Sequence, residues 1–412
     1  MYSVVGVQLR DLQPTVSLKM INTTTDINMT PSAFSCLLSR QCDDPEGLQA
    51  YACFVNRIHG YLILVLGCFG VPTNIVNIAI LTHKSMRSPV NNILTGIAIS
   101  DLITMVMSIP LGVHFYITNS LDITVDKYTY GWTLFLAFYA MVTITTQTVS
   151  IWLGVCMAFF RYVYIKSMGS GRHNIDTKKS CFLVLVMFLL VIVIYIPVYS
   201  FVSIKSMTCF NDVENYTVSY YRMQPTMTND KPSLTHAYSM WTYVVIGKLI
   251  PCFLIALFGG CLLYSLQENT RRAIHLNGAH ATSRLRQHRR TTAMLLIIIV
   301  MYIIASLPQS ILLIIGFVDK TFFENEYAFL GDTIDIISLF NNSINFVLYC
   351  AMSRQFRDLL KQYVCQYFVI PQQDAKSTQT ASHLISQNNL HSKVYVMNGI
   401  RKQESPLLDR NI

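Results

Sequence analysis

Charge is scarce in this sequence. Lys, Arg, Asp and Glu make up 13% of the 412 residues, where an ordinary soluble chain carries roughly a quarter. That shortage argues against a water-soluble globule. Catalytic signatures are missing as well: there is no Gly-rich phosphate loop, no His-Glu-x-x-His and no Cys-x-x-Cys pair, and the ten His residues are scattered. Asp332 and Asp335 have the spacing of a carboxylate pair, but no nucleophile accompanies them. No enzyme and no cofactor are expected. The first 57 residues lack a signal-peptide core, because the apolar patch Val4 to Val7 is too short. The first apolar helix is therefore expected to direct its own insertion.

What the chain has in abundance is apolar length. Hydrophobic residues reach 52%, with 23 Tyr and 22 Phe, and the mean hydropathy is +0.41. Crossing an apolar layer of roughly 30 Å takes about 20 helical residues. Seven runs qualify: Ile58 to Leu81, Val90 to Tyr116, Trp132 to Tyr164, Ser180 to Ile204, Ser239 to Gln267, Thr291 to Phe317 and Ala328 to Ala351. Their charged residues are Asp101, Arg161, Lys248, Asp332 and Asp335. Barrel strands of about ten alternating residues would not produce such runs. The fold expected is an all-α membrane protein, a seven-helix bundle.

The net charge of +9 has a location. With the N-terminus outside, the inner segments hold 20 Lys and Arg against 9 in the outer ones, while 6 acidic residues lie inside against 13 outside. Basic excess on the cytoplasmic side orients a multi-pass protein and faces anionic lipid. Nucleic acid is not an expected partner.

The chain is thus read as an outer segment, 1–57, a bundle, 58–351, a short amphipathic helix, 352–369, and a polar tail, 370–412, whose composition is that of disordered chain. Asn22, Asn28 and Asn215 begin glycosylation sequons on the outer side. Inside, Arg289 and Arg290 close a basic stretch before the sixth run, suited to lipid headgroups or to a cytosolic partner. In the short helix Phe356, Leu359 and Leu360 share a face, as an interfacial helix requires, and Cys365 is a palmitoylation candidate.

An ionisable residue inside a membrane costs about 2.5 to 3.5 kcal/mol even on lenient scales, so each needs a partner or a cavity. Asp101 falls at mid-depth, as do Asn74, Ser150, Asn341 and Asn345. Two readings stand: hydrogen bonds between helices, or a sodium-like small-cation site built from carboxylate, hydroxyl and amide oxygens.

The motifs carry a resemblance. Gly70-Val71-Pro72-Thr73-Asn74, Ile99-Ser100-Asp101, Phe160-Arg161-Tyr162, Lys248-Leu249-Ile250-Pro251, Leu307-Pro308-Gln309 and Asn341-Asn342-Ser343-Ile344-Asn345-Phe346-Val347-Leu348-Tyr349 resemble rhodopsin-like G-protein-coupled receptors, and in particular the myosuppressin and FMRFamide-type peptide receptors of arthropods and nematodes, with the nematode serpentine class w as a close relative. The resemblance covers about 57 to 368. Departures stand out: Phe160 replaces the acid beside the helix 3 Arg, Phe346 replaces a Pro, Ser306 replaces a Trp, and Gly259 stands where a Tyr is common.

The resemblance implies a plasma-membrane receptor for an extracellular peptide, coupled to a heterotrimeric G protein of inhibitory type, with arrestin and receptor kinases as candidate further partners. Arg161, Tyr162, Tyr349, Arg289 and Arg290 would serve coupling. Thr143 stands where amine receptors carry an Asp, and Leu339 where opsins carry the retinal Lys, which disfavours both ligands. Peptide contacts are expected from Asp332, Asp335, Gln309, Gln147, Tyr139 and Lys248, with an Arg-Phe-amide terminus as the ligand. The alternatives are a chemosensory receptor for environmental small molecules and, more remotely, a seven-helix transporter or pump. Most relatives bridge helix 3 to the second outer loop, but Leu136 occupies that position and no Cys lies between Cys68 and Cys156. The outer cysteines Cys36, Cys42, Cys53 and Cys209 allow three pairings, of which one joining Cys209 to the N-terminal segment, at Cys53, is favoured.

Overall fold

A computed structural model describes residues 47–119, 126–166, 177–200, 202–211, 216–225, 227–228, 231–232, 238–239, 241–275, 279–319, 322 and 327–368. Seven helices in it are long and apolar enough to cross a membrane. They are α1 (Gly47–Leu81), α2 (Pro89–Leu111, continued as a π-helical stretch Gly112–Thr118), α3 (Tyr130–Lys166), α4 (Thr177–Tyr199), α5 (π-helical over Thr242–Leu249, then α-helical over Ile250–His275), α6 (Ala279–Val318) and α7 (Ala328–Met352). An eighth helix, α8 (Arg354–Phe368), belongs to a separate compact unit beginning at Arg354.

α1 begins eleven residues before the apolar run. Gln49, Asn56 and Arg57 interrupt the apolar residues of its opening turns, yet Ala52, Val55, Asn56 and His59 are buried at the spacing i, i+3, i+4, i+7, one stripe of an amphipathic helix. α2 starts at a complete N-cap: the Ser88 hydroxyl accepts from the Asn91 N–H at 3.1 Å, and Pro89 occupies the first helical position, where its missing N–H costs nothing. α3 is the longest of the central helices, packing against α2, α4, α5 and α6. α2 and α3 bury most of their central residues, whereas α4 buries few and is the peripheral helix.

The fourth span ends short of the sequence expectation. α4 stops at Tyr199, just past Pro197, and Val202 to Ile204 open a strand instead. Strands β1 (Val202–Asn211) and β2 (Tyr216–Pro225) form an antiparallel hairpin in register from Val202 against Pro225 to Asn211 against Tyr216. The hairpin is fastened to the start of α3: the Tyr221 N–H donates to the Tyr128 carbonyl at 3.0 Å, and the Thr133 hydroxyl donates to the Tyr221 carbonyl at 3.2 Å. Two short strands, β3 (Met227–Thr228) and β4 (Lys231–Pro232), pair beyond it.

The wide turn at the start of α5 has a chemical cause nearby. Ile250 bonds five residues back, to the Val245 carbonyl, and the next residue is Pro251, which has no N–H to restore the α-helical ladder. At Gly247 a Cβ would run into the Tyr195 hydroxyl of α4, so glycine lets this turn lie against α4 without displacing that side chain.

Candidate functional site

Three layers of polar side chains line the bundle between the hairpin end and the Arg161 end. The middle layer is built around Asp101, buried on α2. The Ser150 hydroxyl of α3 donates to Asp101 Oδ1 at 3.2 Å, and the Asn345 amide of α7 donates to Oδ2 at 2.9 Å. Ser150 also bonds the hydroxyl of Tyr302 on α6 at 2.6 Å. Asn74 of α1 donates to its own Gly70 carbonyl at 2.9 Å and to the Asn342 carbonyl of α7 at 3.2 Å. Asn341 is buried one turn before Asn345 and is not bonded to Asp101. The field of Asp101 reaches both Tyr302 and Tyr349. Four of the expected residues thus reach across α1, α2, α3 and α7. Tyr302 was not among them: in an apolar run, an aromatic residue reads as lipid packing.

The layer nearer the hairpin holds the expected peptide contacts. Lys248, buried on α5, donates from Nζ to Gln147 Oε1 at 3.3 Å, and Gln147 Nε2 donates to the Ser338 hydroxyl of α7 at 2.8 Å. The ammonium also sits 5.6 Å above the ring centroid of Tyr243. Asp335 is half-buried on α7, and its charge acts on Lys248 and on the buried Tyr139 of α3. Gln309 is buried on α6 without a hydrogen bond to these groups.

Asp332 belongs to a different set. It is 1% exposed, and Tyr116 of α2 donates to its Oδ1 at 2.8 Å. His59 of α1 lies against the Tyr116 ring at 4.2 Å between centroids, and Tyr51 of α1 bonds Thr333 of α7 at 2.8 Å. Both carboxylates were expected to offer peptide contacts from one face of α7; of the two, Asp332 joins α7 to α2.

At the other end, Arg161 on α3 has a buried Nε with no hydrogen-bond partner among the described residues. Phe160 packs with Phe159 and supplies no acid. The Tyr162 hydroxyl accepts from Lys166 at 3.3 Å. Asn269 of α5 donates to the Ile165 carbonyl of α3 at 3.2 Å, beside a cluster of Ile165, Leu262 and Leu266. Arg289 and Arg290 lie in α6, with side chains outside the described residues. Asn22, Asn28, Asn215, Cys36 and Cys42 lie outside the described residues, and Cys209 lies in β1 with its side chain undescribed. Cys53 is disulfide-bonded. Cys365 is a free, exposed thiol on α8. A separate apolar cavity of about 500 Å³ opens between α3, α4 and α5, lined by Trp152, Phe159, Met187 and Phe258 among others, away from these layers.

Comparison with known proteins agrees with this arrangement. The chain matches the serpentine type 7TM GPCR chemoreceptor Srw family over residues 61–366. Among curated proteins it is 29% identical to the G-protein coupled receptor dmsr-1 of Caenorhabditis elegans, over 74% of this chain and 68% of that one. It is 22% identical to the sex peptide receptor of Drosophila melanogaster, over 78% and 74%, and 22% identical to the Drosophila FMRFamide receptor, over 73% and 53%. Among solved structures, squid rhodopsin superposes with a TM-score of 0.57 at 14% identity, covering 86% of this chain and 96% of that one. The chain belongs to the serpentine Srw family of seven-helix G-protein-coupled receptors: a multi-pass membrane protein that signals rather than catalyses, coupling an extracellular ligand to a G protein.

Proposed function

We propose that this receptor responds to a short extracellular neuropeptide of the FMRFamide-like or myosuppressin-like kind, at the plasma membrane with its N-terminus outside. The observation that carries this reading is Asp335. It is a half-buried acid within electrostatic reach of Tyr139 and Lys248, in a layer rich in amides and hydroxyls. A carboxylate partly withdrawn from water favours a cationic partner. An Arg of the peptide offers a planar guanidinium matched to it, and the adjoining Phe-amide end would meet Tyr139, Gln147 and Gln309. The names of two relatives, an FMRFamide receptor and a sex peptide receptor, support a peptide.

Activation is a population shift: the peptide binds better to a state in which α6 has moved outward, and the G protein selects the same state through Arg161, Tyr162, Tyr349 and the basic start of α6. An inhibitory-type G protein is the proposed partner, with arrestin and receptor kinases acting later. The oxygens around Asp101 suit a small cation such as sodium. Its described partners are neutral, and Asn74 Oδ1 and Asn77 Oδ1 are buried without hydrogen bonds. Such an ion would supply positive charge to Asp101 and favour the resting state. Asn22, Asn28 and Asn215 are proposed glycosylation sites, and Cys365 a palmitoylation site that would hold α8 at the membrane.

The family's description as chemoreceptors favours a second reading, a receptor for environmental small molecules. A peptide-library and small-molecule screen on cells expressing the chain with a promiscuous G protein separates the two. Response to Arg-Phe-amide peptides is expected; response to small molecules alone would establish the second reading. The transporter alternative has no place in this family.

A further inference from the structure

We propose that the hydroxyl of Tyr302 is a latch that holds α6 against the Asp101 layer and releases when α6 moves. Tyr302 is 4% exposed, and Ser150 is its hydrogen-bond partner among the described residues, at 2.6 Å. Ser150 is 2% exposed and donates onward to Asp101, which is also held by Asn345. An ionised carboxylate only accepts, so the chain of donation runs from Tyr302 to Ser150 to Asp101. One hydroxyl thereby ties α6 to α3, and through Asp101 to α2 and α7. Breaking it leaves a buried donor without a partner, a penalty charged to whichever α6 position lacks the bond.

Gly154, one turn along α3 from Ser150, lies beside the Tyr302 ring. A Cβ at that position would stand 3.0 Å from Ile255 Cδ1 and 3.5 Å from the Tyr302 ring. The Ile255 contact is tight, so glycine helps α5 lie close to α3, while the spacing to the Tyr302 ring is ordinary van der Waals contact.

The latch also sits where a small rotation breaks it. Pro308 interrupts the α6 ladder, since it cannot donate to the Ile304 carbonyl. Tyr302 lies six residues from that point toward the Arg161 end, or about 9 Å at 1.5 Å per residue, and Arg290 about 27 Å. A rotation of roughly 10° about Pro308 moves Arg290 by about 5 Å and the Tyr302 hydroxyl by about 1.6 Å, enough to break a hydrogen bond. Movement at the G-protein end and rupture of the latch are thus one event.

The test has two arms, and the first needs neither ligand nor G protein. Hydrogen exchange is measured on purified receptor for wild type, Tyr302→Phe and Ser150→Ala, the last breaking the same bond from the other side if the first variant folds poorly. Faster exchange, about threefold or more, is expected in α6 from Leu296 to Ser306 and in α7 around Asn345, with the double variant no faster than either single one. Wild-type exchange in both variants, or additive effects in the double variant, overturns the latch. The second arm measures agonist-independent nucleotide exchange on a promiscuous G protein at matched surface expression, against Arg161→Ala as the uncoupled reference. A rise of about threefold in Tyr302→Phe is expected. Unchanged basal exchange, with wild type above Arg161→Ala, overturns the latch as a control of signalling. If wild type equals Arg161→Ala, the coupling assignment has failed and the first arm alone decides the latch.

Discussion

The indole Nε1 of Trp152 donates to the carbonyl of Ile246 at 3.0 Å, across the contact between α3 and α5. In the π register that carbonyl would accept from the residue five positions on, which is Pro251 and has no N–H. Trp152 takes the place of the missing donor. The side chain of one helix completes the backbone of another, where the second helix is irregular.

Trp152→Phe keeps an aromatic ring and removes the donor, leaving a part-buried carbonyl unsatisfied. Purified receptor should lose about 1–3 kcal/mol of stability, read as a lower melting temperature in detergent. An unchanged melting temperature would show that water serves this carbonyl equally well.

Arg161 and Phe160 predict a second outcome. Without an acidic neighbour the guanidinium has no charge-assisted pair at that position. Arg161→Ala should abolish signalling with surface expression retained, and Phe160→Asp should lower basal activity by restoring a pair. Normal evoked signalling from Arg161→Ala would refute its role in coupling.

Asp335→Asn should reduce the potency of Arg-Phe-amide peptides at least tenfold, roughly 1.4 kcal/mol, at normal surface expression. If Asp335 instead serves only to balance Lys248, the same change should impair delivery to the surface, and adding Lys248→Met should restore it. Dose-response curves and surface labelling separate these outcomes.

Asp332 should behave differently from Asp335. Because it accepts the Tyr116 hydroxyl in a buried site, Asp332→Asn and Tyr116→Phe should each lower thermal stability and leave peptide potency within about threefold. A tenfold potency loss in Tyr116→Phe would draw this pair into the ligand site.

Cys53 carries a disulfide, while Cys68, Cys156, Cys181, Cys252, Cys261, Cys350 and Cys365 are free. Its partner is therefore Cys36, Cys42 or Cys209. Non-reducing peptide mapping should find Cys53 joined to Cys209, and Cys209 recovered as a free thiol would exclude that pairing.

The seven helices were legible because apolar length is a coarse signal that single residues cannot hide. Their ends were not. Arg57 and Asn56 put the expected start of the first helix at Ile58, although the apolar stripe continues back through Val55 and Ala52 into the same helix. The fourth run went on past Tyr199 because Val202 and Ile204 are as apolar as a helix interior, although they alternate with polar partners in a hairpin. At the site, Asp101, Ser150 and Asn345 could be grouped by depth, since polar atoms in an apolar run have to find one another. Tyr302 and Tyr116 could not: each presents an apolar ring to the sequence and a hydroxyl to the structure. The Tyr116 partner of Asp332 was equally hidden, because a spacing of three places Asp332 and Asp335 on one helical face and says nothing of which neighbour lies opposite.

The π-helical opening of α5 alters which residues are neighbours. On a wheel drawn at about 100° per residue, positions five apart fall about 140° from each other, so Tyr243 and Lys248 would be assigned to different faces. Here the ammonium of Lys248 lies over the ring of Tyr243. The cavity-facing stripe of outer α5 therefore has to be counted in fours and fives, as the buried Tyr243, Val244, Gly247 and Lys248 are. A substitution series or a chimaera designed at intervals of three and four would fall out of step with that stripe inside this eight-residue stretch.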